Sequence, residues 1–197
     1  MQQFTIASAY CWSVKNNDEK MKRRNVRTSR PIIIPNSELA IKHLASMIKN
    51  RFNGKTKNNI KYNINYRRLR ASAGRTMLDS IIKRIETAQV IVFDLTRNSP
   101  NVFLELGIAL SISRDNEYPS IYLIKELTLN EYIMTGLPSD LQGYFITSYK
   151  VVKGKVVFKD DNSLRMSIES DVKDYYNQQE PSQFNQIDEI NFDERKK

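Results

Sequence analysis

Apolar positions in this chain fall into short runs and periodic stretches that alternate, strand with helix, from Phe4 to Tyr176. Phe4-Thr-Ile-Ala-Ser-Ala-Tyr10 reads as a first strand, with small residues near its end where a ligand can approach the backbone closely. Asn36-Ser37 opens a helix to about Phe52, with Glu38 early and Lys49 and Arg51 late, as the helix dipole favours. Ile60-Lys-Tyr-Asn-Ile-Asn-Tyr66 alternates like a half-exposed strand and is the expected second strand. Met77, Leu78, Ile81, Ile82 and Ile85 give a helix over 75–88 its apolar side. Val90, Ile91, Val92, Phe93 and Leu95 form a continuous run rich in β-branched residues, which suits a strand covered on both faces. Asn98, Ser99 and Pro100 then supply helix-start chemistry, and Val102, Leu106, Ala109 and Leu110 carry the apolar spacing of the helix that follows. Strands are expected over 118–124 and 142–149, an edge hairpin over 151–158 turning at Gly154, and a last helix over 163–176. This alternation predicts an α/β fold, a Rossmann-like or flavodoxin-like three-layer sandwich with a mainly parallel sheet of about five strands.

Between these elements lie a basic loop over 12–30, a proline-bracketed apolar segment over 31–35 and a lid or linker over 126–138. Residues 1–177 are expected to form a single domain, followed over 178–197 by a polar, acidic tail that is either loose or docked on a partner. At 197 residues and 23.0 kDa, with 40% hydrophobic residues, the chain is long enough to bury one sizeable core.

Cys11 is the sole cysteine, which excludes an intrachain disulfide and a cysteine-based metal cluster. His43 is the sole histidine and lies among Ile41, Leu44 and Met47, where a packed structural role is expected. No signal-like pattern opens the chain and no apolar run reaches the ~20 residues that span a bilayer. A cytoplasmic protein with no membrane partner is therefore expected. The net charge of +9 is unevenly spread: residues 1–84 hold 19 Lys/Arg against 4 Asp/Glu, whereas residues 85–197 hold 12 against 18. A basic N-terminal half suggests an anion, whether nucleotide phosphate, nucleic acid or an acidic protein surface.

The candidate chemistry gathers at the junction after the Val90–Leu95 run. In an open α/β sheet the ligand crevice lies at the carboxyl ends of the strands, where helix N-termini point their amides. Asp94, Ser99, Asn101 and Glu105 border that crevice; the alternative is that Asp94 and Ser99 organise the turn and Glu105 is an ordinary first-turn acid. Arg67, Arg68 and Arg70 follow the second strand on the same side, near Tyr62 and Tyr66, a basic and aromatic set suited to phosphate and base.

The stretch Val-Ile-Val-Phe-Asp-Leu-Thr-Arg-Asn-Ser-Pro-Asn-Val-Phe-Leu-Glu-Leu-Gly-Ile-Ala, residues 90–109, resembles the signature of the nucleoside 2-deoxyribosyltransferase-like and TIR-like nucleotide-binding superfamily. The helix over 77–88 is similar to that family's lead-in helix, and Leu137-Pro-Ser-Asp-Leu141 with residues 144–149 to a later family segment, so the resemblance covers about 75–149. It implies cleavage of an N-glycosidic bond with no metal or cofactor, Glu105 attacking the anomeric carbon or stabilising positive charge there. It also makes Asp79 a candidate for acid/base work, Ser99 a phosphate contact, and Ser8 and Tyr10 candidate substrate contacts. The implied substrate is NAD, as in TIR-type enzymes, or another nucleotide or nucleoside, as in the transferases and hydrolases. Members of the TIR-like branch often act as effectors in prokaryotic antiviral defence. The family's glycine-rich first turn is replaced here by Ala7-Ser-Ala9. The rival expectation is a non-catalytic nucleotide-binding or scaffolding module that docks on nucleic acid or protein through the basic half. With either function, a homo-oligomer or a complex with an acidic partner or nucleic acid is expected from the charge split.

Overall fold

A single six-stranded sheet organises the computed structural model, which describes residues 3–10, 36–57, 60–69, 76–127, 137–141 and 143–179. In chain order the elements are β1 (Phe4–Ala9), α1 (Asn36–Phe52), β2 (Thr56–Lys57), β3 (Ile60–Lys61), β4 (Ile64–Arg68), α2 (Met77–Glu86) and β5 (Val90–Asp94). They continue with α3 (Pro100–Asp115), β6 (Ser120–Glu126), β7 (Ile146–Val152), β8 (Lys155–Phe158) and α4 (Asp161–Asn177). The strand order is β4-β1-β5-β6-β7-β8, parallel throughout except for the antiparallel pair β7 and β8. The five parallel strands thus stand second, first, third, fourth, fifth, the flavodoxin-like arrangement. It sets the chain's switch point between β1 and β5, where Ala9 is in register with Phe93.

Every residue of β1 and β5 is buried. Their alternation feeds two cores. Phe4, Ile6, Val90 and Val92 pack with α1 and α4 residues such as Ile41, Leu44, Ile168 and Val172 on one face. Ala7, Ala9, Ile91 and Phe93 pack with Ile85 of α2 and with Val102, Leu106 and Ala109 of α3 on the other. A three-layer α/β sandwich results, as the strand and helix alternation predicts. Phe93 is fully buried at its centre, and its truncation to alanine would cost about 3–5 kcal/mol.

Three details differ from the sequence reading. The expected strand over 60–66 is broken: Ile60–Lys61 pairs antiparallel with Thr56–Lys57 in a separate ribbon, and the sheet strand starts at Ile64. Tyr62, at the break, packs its ring against Phe52 and Tyr176, while the Tyr176 hydroxyl bonds the amide (2.8 Å) and carbonyl (3.0 Å) of Asn63. Arg67 and Arg68 therefore lie inside β4 rather than after it. The expected strand over 142–149 and the hairpin merge, because β7 runs on to Val152 before turning through Lys153 (φ 50°) and Gly154 (φ 74°). Two successive positive φ values make the primed turn that matches strand twist, and Gly154 adopts its share without steric cost. His43 is exposed on α1, whose buried face is Ile41, Leu44, Ala45 and Ile48. No described helix is long and apolar enough to cross a membrane.

Candidate functional site

The carboxyl ends of the parallel strands bring most of the sequence-predicted site residues to one edge of the sheet, but onto two different faces. On the α1 face, Ser8 of β1 shares a 2.9 Å hydrogen bond with the hydroxyl of Tyr66 in β4, consistent with the parallel register of these strands. Tyr10, buried just past β1, lies under the Arg68 guanidinium, whose carbon is 4.8 Å from the ring centroid. Arg68 pairs in turn with Glu38 near the start of α1, and Lys42, one turn on, reaches the same carboxylate at 2.7 Å. Burial pushes the Glu38 carboxyl up, but bonds from Lys42 and Arg68 and the Arg68 charge outweigh it and hold the group at about 2.

Asp94, the last residue of β5, also faces α1. Its carboxylate accepts the Thr96 amide at 2.8 Å and the Tyr149 hydroxyl at 2.5 Å. Complete burial raises its pKa against the pull of bonds from Thr96, Tyr149 and Ser37. The Thr96 hydroxyl then accepts the amide of Glu126, the end of β6, whose side chain is bonded by Asn36 at 2.7 Å. Burial raises the Glu126 carboxyl, Asn36 and Arg97 oppose the rise, and the charge of Asp94 adds to it. Asp94 thus knits β5, β6, β7 and the start of α1 into one polar junction.

The residues after β5 build the approach to α3. Asn98 takes a left-handed conformation (φ 42°) that asparagine tolerates, and Ser99 and Pro100 stand at the N-cap and the first turn. Ser99 makes no side-chain capping bond and Asn101 is exposed. One turn into α3, Glu105 falls on the inward stripe with Val102, Leu106 and Ala109, whereas Asn101, Leu104 and Gly107 are exposed. Among the described residues Glu105 has no hydrogen-bond or ion-pair partner. Burial alone pushes its carboxyl up to about 7. The covering that causes this is the second core, the face opposite to Ser8, Tyr10 and Asp94.

Arg67 turns to that second face as well. Its Nη2 donates to the Arg84 carbonyl at 2.8 Å and to the Thr87 hydroxyl at 2.5 Å. Arg84 of α2 returns a 3.1 Å bond to the Arg68 carbonyl. Arg70 lies outside the described residues. Asp79 is exposed in the first turn of α2, where its amide donates to the Thr76 hydroxyl at 3.2 Å and its carboxylate accepts from that hydroxyl. That is the geometry of an N-cap pair.

Four residues that the sequence pattern did not single out belong to this edge: Glu38, Lys42 and Arg84 beside the arginines, and Glu126 beside Asp94. Glu126 was legible as the end of a strand parallel to β5, while the other three sit on helices whose placement only the fold supplies. Among the described residues no three His, Cys, Asp or Glu side chains group closely enough to hold a metal ion. Comparison with protein-family models, curated proteins and solved structures gave no match.

Proposed function

We propose that the chain cleaves the N-glycosidic bond of NAD or a related nucleotide, with Glu105 as the carboxylate that acts at the anomeric carbon. The observation that carries this reading is Glu105 itself, an acid on the inward stripe of α3, half-buried, without a partner among the described residues and pushed up to about 7. Burying a carboxylate unpaired opposes folding, and such groups concentrate where a ligand completes them. In the reaction the C1′–N bond breaks, its electron pair leaves with the base, and positive charge grows on the sugar. A carboxylate in a partly desolvated site stabilises that charge far better than one in water. It either bonds the anomeric carbon or shields it until water adds. A cationic nicotinamide ring approaching Glu105 would itself favour the ionised carboxylate, which suits NAD over a neutral nucleoside.

The switch point between β1 and β5 supports the same reading, because a flavodoxin-like sheet opens its ligand crevice there. The Ser99 hydroxyl, which makes no capping bond, stands at the start of α3. The substrate's phosphates fall to the arginines of β4. Incubating the purified chain with NAD, nucleotides and nucleosides, followed by chromatography for a released free base, tests this function.

A further inference from the structure

A cavity of about 420 Å³ opens along the outer edge of β4, lined by Glu38 and Lys42 of α1, Tyr66, Arg67 and Arg68 of β4, and Arg84 of α2. It wraps the edge of the sheet, since Arg68 turns to α1 and Arg67 to α2. Among the described residues that line it, four cations face one carboxylate. Arg67 lies beside Arg84, and burial together with that neighbouring charge lowers the Arg67 pKa. No carboxylate pairs with Arg67 among the described residues, and its Nε is buried without a hydrogen-bond partner.

We propose that this cavity binds the phosphate groups of a small phosphorylated ligand, and that Glu38 is the internal counter-ion which the ligand displaces from Arg68 and Lys42. The volume lies within the range of small-molecule sites. The lining suits phosphate in particular: guanidinium forks bond phosphate oxygens in pairs, and Lys42, half-exposed on its flexible stem, follows as a point charge. Among the described residues no carboxylate answers the Arg67 charge, which lies beside that of Arg84, whereas a phosphate group, with more charge and more acceptor oxygens, serves both faces of the edge. The nucleotide identity of that ligand rests on the function proposed above; the cavity's preference for phosphate does not.

Isothermal titration of the full chain with inorganic pyrophosphate, ADP and adenosine, without divalent metal, tests the site. Pyrophosphate has no glycosidic bond, so its binding is independent of what Glu105 does. The wild type is expected to bind pyrophosphate and ADP saturably and adenosine at least tenfold more weakly. Exchanging Arg67 and Arg84 for alanine should weaken pyrophosphate binding about tenfold or more, and Lys42→Gln, a surface change that leaves the fold intact, about threefold. Glu38→Gln should tighten it about threefold. Absence of saturable pyrophosphate binding, or an affinity unmoved by Lys42→Gln and by the arginine changes, overturns the site. An affinity unmoved or weakened in folded Glu38→Gln overturns the counter-ion role while leaving the site standing. Pyrophosphate binding without base release from any nucleotide would count against the glycosidase reading alone.

Discussion

Tyr149 of β7 donates a 2.5 Å hydrogen bond to Asp94 of β5 although β6 lies between their strands. The bond crosses the middle strand, and both partners are buried. Burial raises the Tyr149 pKa and the charge of Asp94 raises it further, so the phenol keeps its proton and remains the donor. Tyr149→Phe should therefore strand a buried acceptor and cost about 1–3 kcal/mol, read from urea unfolding. The cost should shrink as the solution is acidified and the Asp94 carboxyl takes up a proton.

Glu105 gives a pH signature of the opposite kind to an ion pair. Its folded-state pKa of about 7 lies above the ordinary value of 4.5, so the native state holds this proton more tightly than the unfolded chain does. Stability attributable to the group is therefore highest below 4.5, falls as pH rises through the window between the two values, and levels off above about 7. Glu105→Gln removes that penalty. Once solvent screening of this partly exposed group is allowed for, the variant should be more stable than wild type at pH 8 by about 1 kcal/mol and no more stable at pH 4. Unfolding curves at the two pH values measure the difference.

The central strand and its following helix were legible because their signals are local: a run of β-branched residues and a proline at the first helical turn. The Ile60–Tyr66 alternation was equally regular and misleading, since the break at Tyr62 and Asn63 is imposed by Tyr176, 113 residues from Asn63. Contacts of that range leave no trace in a local pattern. The same limit hid the basic cavity, where Arg67 and Arg68 were visible as a cluster but their partners came from two helices, Glu38 standing 30 residues from Arg68. Glu105 was visible as a carboxylate flanked by leucines, but its lack of a partner among the described residues was not.

Asp79 separates two roles cleanly. It is exposed and bonded to Thr76 at the start of α2, so Asp79→Asn should lower stability by about 0.5–1 kcal/mol and leave any base release within about twofold of wild type. Parallel unfolding and rate measurements check it. A fall in rate of a hundredfold with stability unchanged would assign Asp79 to the chemistry.

The charge split between the two halves predicts an assembly held by electrostatics, either of this chain with itself or with an acidic partner such as nucleic acid. Such contacts weaken as the Debye length falls from ~10 Å at 0.1 M salt to ~3 Å at 1 M. Light scattering across that range, on the chain with and without residues 178–197 and with added nucleic acid, should show a larger particle at low salt that dissociates as salt rises. A monomer in every condition would make the basic half an ordinary surface around a small-molecule site.

The central claim is that Glu105 performs the bond cleavage, and the rate of free-base release by wild type and Glu105→Gln on the same nucleotide measures it directly. Removal of a preorganised charge from a reacting centre commonly costs a factor of about 10²–10³ in rate. The expected result is a folded variant, more stable than wild type above pH 7, whose base release falls by about a hundredfold or more, while the wild-type rate climbs as pH rises through about 7 and the carboxylate ionises. A folded variant that releases base at nearly the wild-type rate would contradict the mechanism and leave Glu105 as a structural acid of α3.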